Sequence, residues 1–166
     1  MQACKKSDSS DSTTTTAPIL FNAYLNGILW TPKTVSATLT YNATAKTKTF
    51  TCTATDTLGA AKVVLNLTQP AATVDSTLAI QTYSDTTYCK SQYYTIANGL
   101  ATSAGPIKSD YVTITAYDAV NKLATGTFGF TQLKLNYDGS GNVTSITSTS
   151  VAGGQFNNLP VTFIKK

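Results

Sequence analysis

The chain has 166 residues and a net charge of +4, with 42% hydrophobic but only 12% charged residues. That length suits one domain with a real core, while the charged fraction is about half of an ordinary soluble domain's 25%. Glu, Arg and His are missing, which excludes Ser-His and Cys-His catalytic pairs and imidazole metal ligands and removes the guanidinium forks that nucleic-acid surfaces use.

Lys33, Lys46, Lys62, Lys90, Lys108 and Lys122 are scattered, and only Lys5-Lys6 and Lys165-Lys166 are paired. No nucleic-acid partner is expected. Polarity comes instead from Thr, Ser and Asn. Thr is β-branched, stiff at χ1 and suited to a pleated strand, so composition alone favours strands.

Residues 1–17 read as a lipoprotein N-terminus and flexible tether, and 18–166 as a single all-β domain. Ala3-Cys4, then Lys5-Lys6 and a Ser/Asp/Thr run, resembles the processed end of a bacterial lipoprotein. There the Cys that follows a small residue carries the lipid. Cys4 is therefore the expected lipidation site, with a secretion signal already removed, because no apolar segment precedes it. The run from Ser7 to Ala17 has the composition of a tether. With Cys4 lipidated, Cys52 and Cys89 remain. In an oxidising envelope they can pair, which would contribute roughly 4 kcal/mol in the chain-entropy picture; two separate buried thiols are the alternative.

A strand is expected from Ile19 to Leu25. Asn26-Gly27 then turns it into Ile28–Trp30, as a type I′ hairpin wants. Val35, Ala37, Leu39 and Tyr41 alternate with Ser and Thr, and Phe50, Cys52 and Ala54 alternate with Thr49, Thr51, Thr53 and Thr55. Period two marks half-buried strands, so these two should pair with a Thr face towards water. Lys62–Thr68 is a further strand, stopped by Pro70. Leu78–Tyr83 and Tyr88–Ile96 are the next pair, followed by a loop from Ala97 to Ser109. Tyr111–Tyr117 should face the core through Val112, Ile114 and Ala116. After the turn at Asp118–Lys122 comes Leu123–Leu135. The Asp138–Asn142 turn leads into Val143–Val151, Gly153-Gly154 reads as a bulge, and Leu159–Phe163 closes the domain. Nine to ten short, regularly spaced strands argue for an antiparallel β-sandwich or a β-barrel-like domain. No apolar run is long enough for a membrane helix, and the alternation is too irregular for an outer-membrane barrel.

Several short motifs carry a family resemblance. They are the Cys4-Lys5-Lys6 start, Asn26-Gly27 followed by Trp30, Ile114 to Asp118, Gly126-Thr127-Phe128-Gly129-Phe130, and Gly154-Gln155-Phe156 leading to Leu159-Pro160-Val161. On these the chain resembles a family of small Bacteroidetes envelope lipoproteins of unknown function, the DUF6252-like group. The resemblance implies an outer-membrane lipoprotein, periplasmic or surface-exposed, with a sandwich-like body. It brings no catalytic residues and no cofactor.

The candidate chemistry is sparse. A glycosidase would need two converging carboxylates, yet Asp56, Asp75, Asp85, Asp110, Asp118 and Asp138 nearly all fall beside expected turns, where Asp is favoured for geometry. Asp138, Ser140 and Asn142 space oxygen ligands as a calcium loop does, but the later bidentate carboxylate is missing, so a hairpin turn is the better reading. Tyr83, Tyr88, Tyr93 and Tyr94 cluster near one expected hairpin, with Tyr111 and Tyr117 in reserve. They suit contact with sugar or peptide, or they simply fill sheet faces. Asp56-Thr57-Leu58, Asp75-Ser76-Thr77 and Asp85-Thr86-Thr87 are similar to a short envelope O-glycosylation signal, with Thr57, Ser76 and Thr86 as acceptors.

The functional expectation is a non-catalytic binding or structural module. It would be anchored to the membrane by lipid and would meet a glycan or an envelope protein. A carbohydrate- or peptide-binding accessory using the Tyr-rich hairpin and the 97–109 loop is the alternative. Behind it stand an Asp-dependent hydrolase and, should the sheet close around an apolar cavity, a lipophilic ligand.

Overall fold

The computed structural model describes residues 20–56, 60–84, 87–97 and 105–166 in full, and 100–103 as backbone. The described residues form an all-β, sandwich-like domain of eleven strands, mostly antiparallel and not closed into a barrel. The strands are β1 (Leu20–Leu25), β2 (Ile28–Trp30), β3 (Thr34–Asn42), β4 (Thr47–Thr55), β5 (Ala61–Pro70) and β6 (Thr82–Tyr83). They continue with β7 (Gln92–Ala97), β8 (Leu100–Ser103), β9 (Ile107–Asp118), β10 (Leu123–Tyr137) and β11 (Val143–Lys165).

The alternation seen in the sequence decides the centre of the sheet. In β3, β4 and β5 every second residue is buried. Leu39, Phe50, Cys52, Val63 and Leu65 point inwards, and the Thr hydroxyls form the outer face. There they pair across strands: Thr49 Oγ1 lies 3.3 Å from Thr68 Oγ1, and Thr51 donates to Asn66 Oδ1 at 2.8 Å. Such cross-strand pairs are each worth roughly 0.2–1 kcal/mol. The Asn26-Gly27 hairpin forms as expected, with φ of 50° and 84°, the positive values a type I′ turn requires.

β11 joins the two layers. Its first part pairs antiparallel with β10 and with β1. Its last five residues, from Val161, pair parallel with β3. One layer is therefore β6, β9, β10, β11, β1 and β2, and the other is the end of β11 with β3, β4, β5, β7 and β8. Phe156 of β11 sits between them. Its ring stacks on Phe21 at 6.4 Å, Phe50 at 6.2 Å and Phe128 at 6.4 Å.

The expected Gly153-Gly154 bulge is present, since two residues of β11 face Ala23 alone between the Asn22–Gln155 and Tyr24–Ala152 pairs. The strand nevertheless continues through it and through Pro160. The two closing strands expected from the sequence are thus one.

Three other expectations change. Leu78–Tyr83 is not a strand along its length. Leu78 enters the core, Ile80 is exposed, and only Thr82–Tyr83 pair, with β9. The segment is held from below by Lys48, an inward-pointing residue of β4, which reaches Asp75 Oδ1 at 2.5 Å and Thr77 O at 2.9 Å. Ala116 is exposed, because the register of β9 slips between Ile114 and Ala116 and the phase inverts; Tyr117 packs against the core in its place. The 97–109 loop contains β8 and the start of β9.

The two ends of the sheet meet through side chains. Asp110 of β9 accepts the Ser91 N–H at 2.5 Å, and Gln132 of β10 accepts the Tyr93 N–H at 2.8 Å while donating to Gly105 O at 2.6 Å. All three side chains, Ser91, Asp110 and Gln132, are buried. Just beyond this seam the sheet stays open, between the end of β5 and β6.

Candidate functional site

That opening is a cleft of about 210 Å³ lined by Thr68, Gln69, Pro70, Gln81, Thr82, Tyr83, Ser84 and Tyr88. It exists because Pro70 ends β5, having no N–H to extend the ladder, while β6 is only two residues long. On one side Thr68 N–H is held by Tyr88 O at 2.8 Å, which places the Tyr88 backbone against β5. On the other side Tyr83 is fixed: its hydroxyl lies 2.6 Å from Gln69 Oε1 and 3.3 Å from Ala79 O. Ala79 N–H also donates to Gln69 Oε1, at 3.2 Å. Burial pushes the Tyr83 phenol up from its usual range. Tyr88 is the exposed counterpart, at 44% against 4% for Tyr83.

The four expected tyrosines therefore do not act together. Tyr83 and Tyr88 share the cleft. Tyr93 packs against the core, and burial, then the Asp56 charge, raises its phenol. Tyr94 lies on the opposite, outer face. There Lys62 Nζ stands 4.4 Å from its ring centroid and its hydroxyl donates to Gln92 Oε1. Successive strand residues point to opposite faces, so a Tyr93-Tyr94 pair cannot form one surface.

Cys52 and Cys89 are buried free thiols, which corrects the expected disulfide. Cys52 pairs across to Leu65 of β5, and Cys89 bridges Leu67 on the far side of β5. A whole strand separates them, about 10 Å, beyond the roughly 7 Å Cα limit for a bridge. Burial pushes Cys52 up to about 12. Burial, then the neighbouring Asp110 carboxylate, does the same for Cys89, also to about 12.

Asp56, Asp118 and Asp138 are engaged by backbone close to them in sequence. Asp56 accepts Ala60 and Ala61 N–H, Asp118 accepts Val120 and Asn121 N–H, and Asp138 accepts Ser140 and Asn142 N–H, each at 2.9 Å. Those bonds hold the carboxyls of Asp118 and Asp138 below their ordinary range. The Asp138–Asn142 segment is thus a hairpin turn folded onto its own carboxylate. Asp75, next to the half-buried Ser76, is engaged by Lys48 and Thr77, which lower its carboxyl. Cys4, Thr57, Asp85 and Thr86 lie outside the described residues. Among the described residues no group of three or more His, Cys, Asp or Glu could hold a metal ion, and no helix is long and apolar enough to cross a membrane.

No family model, curated protein or solved structure matches the chain.

Proposed function

We propose that this chain is a non-catalytic binding module of the bacterial cell envelope, held at the membrane by a lipid on Cys4, with its ligand site in the cleft beside Tyr88. The observation that supports this most is the cleft's lining: two tyrosine rings, two amides, three hydroxyl side chains and a proline, all neutral. Rings with a polar handle and convergent amides are what a small uncharged polar ligand needs. At about 210 Å³ the space is below the roughly 300 Å³ at which sites for drug-sized ligands begin. It accepts one sugar ring or a terminal group.

A glycan and peptidoglycan-fragment array probed with the Cys4→Ser chain tests this. Tyr88→Ala and Gln81→Ala should each remove the signal that the parent chain shows, and Tyr94→Ala should leave it. No signal from the parent chain on any spot would favour a structural or protein-partner role instead.

A further inference from the structure

The outer face of the first layer carries two exposed tyrosine rings that the cleft does not use. Along one row of the sheet, Tyr111 of β9 pairs with Gly129 of β10, Gly129 lies opposite the bulged Ala152-Gly153 of β11, and Tyr24 of β1 pairs with Ala152. The positions between the rings have almost no side chain, so each ring leans over its neighbour. A Cβ on Gly129 would stand 2.8 Å from Tyr111 Cε1, and one on Gly153 would stand 3.3 Å from Tyr24 Cδ2. Tyr24 is 47% exposed and Tyr111 41%. Next to Tyr111 is a shallow trough of about 190 Å³, with Ser109, Gly129, Thr131, Ser150, Ala152 and Gly153 in its lining.

We propose that this trough binds a neutral polysaccharide chain laid across β9, β10, β11 and β1, with Tyr111 and Tyr24 as its stacking platforms. Charge selects the ligand class. The lining has hydroxyls, rings and bare backbone but no charged side chain, and Asp110, next along β9, is turned into the core. An anionic polymer would gain nothing here from the protein's net charge of +4. The ring faces are apolar with a negative-leaning π surface, which complements the C–H face of a pyranose. Ser109, Thr131 and Ser150 form the next row of the same face, Thr131 pairing with both serines, and line the trough with hydroxyls beside the rings. Both rings rest on backbone before any ligand arrives, so less freedom is lost on binding. Three strand spacings separate β9 from β1, about 14 Å. The rings lean inwards from the two ends of that span, and with the trough beside Tyr111 they form a longer, open floor than the single-unit cleft.

Affinity electrophoresis of the Cys4→Ser chain decides this, in gels containing xylan, glucomannan or hydroxyethyl cellulose and in gels containing polygalacturonate. At least one neutral polymer should retard the protein and polygalacturonate should not. Tyr24→Ala and Tyr111→Ala should each weaken retardation about tenfold, while Tyr24→Phe and Tyr111→Phe stay within about twofold. Ala152→Glu keeps both rings, places a carboxylate on the exposed floor and should abolish retardation with the thermal midpoint unchanged. Tyr88→Ala should have no effect, which separates this site from the cleft. The proposal is overturned if every neutral polymer leaves the protein unretarded, if the two Ala variants and Ala152→Glu all run as the parent does, or if polygalacturonate alone retards it.

Discussion

Cys52 and Cys89 show how burial alters the chemistry of a single side chain. A thiol reacts as its thiolate, and both groups hold their protons up to about 12. In a Cys4→Ser chain at pH 8, neither should react with Ellman's reagent until denaturant is added, when two equivalents should appear. The same shift sets a pH dependence of stability. The unfolded thiols ionise near 9 and the folded ones near 12, so the folded state holds more protons between those values. The stabilising effect is complete below pH 9 and is lost as pH rises towards 12, by about 1.4 kcal/mol per pH unit for each thiol. Urea titrations across that window should show a shallower decline for Cys52→Ala than for the parent. Equal slopes would refute the assignment.

At the scale of the element, the seam between β7 and β10 is the informative case. Backbone ladders hold the rest of the sheet, but here Gln132 bonds Tyr93 and Gly105 directly. Gln132→Leu keeps the volume and removes both bonds. It should destabilise by about 2 kcal/mol because buried backbone groups lose partners, with the denaturant m-value unchanged. Thr53→Val on the outer face should stay within about 0.5 kcal/mol. The seam was invisible in the sequence, since Gln132 is a polar residue in a strand and nothing local says that it points inwards. β3, β4 and β5 were legible because each has one wet face and close neighbours in sequence. The phase of β9 was not legible past Ile114, because the slip there depends on a partner strand. Residue type nominates tyrosine for ligand contact, and register decides which rings face out. It buries Tyr83, half-buries Tyr93 against the core, leaves Tyr88 at the cleft, and lifts Tyr24 and Tyr111 onto an open face.

For the whole molecule, the two layers share one core, and Phe156 is its centre. Its ring meets residues of β1, β4 and β10, so truncation opens a cavity that neither layer can fill alone. Phe156→Ala should cost about 3–5 kcal/mol and lower both the thermal midpoint and the urea midpoint. Phe163, half-buried near the end of the same strand, should cost clearly less on the same change. A Phe156→Ala chain as stable as the parent would mean that the layers do not depend on each other.

The strand that holds Phe156 also dictates when the fold can exist at all. A polypeptide delivered N-terminus first, from a ribosome or through a translocation pore, releases β1, β3 and β10 before β11, which must lie between them. Until Lys165 is clear, β10 lacks its longest partner and β3 keeps an open edge. Assembly waits on contacts far apart in sequence, the kind that form in milliseconds to seconds. During that interval β3 has only β4 to pair with, and the Phe50 face that Phe156 covers stays exposed to water.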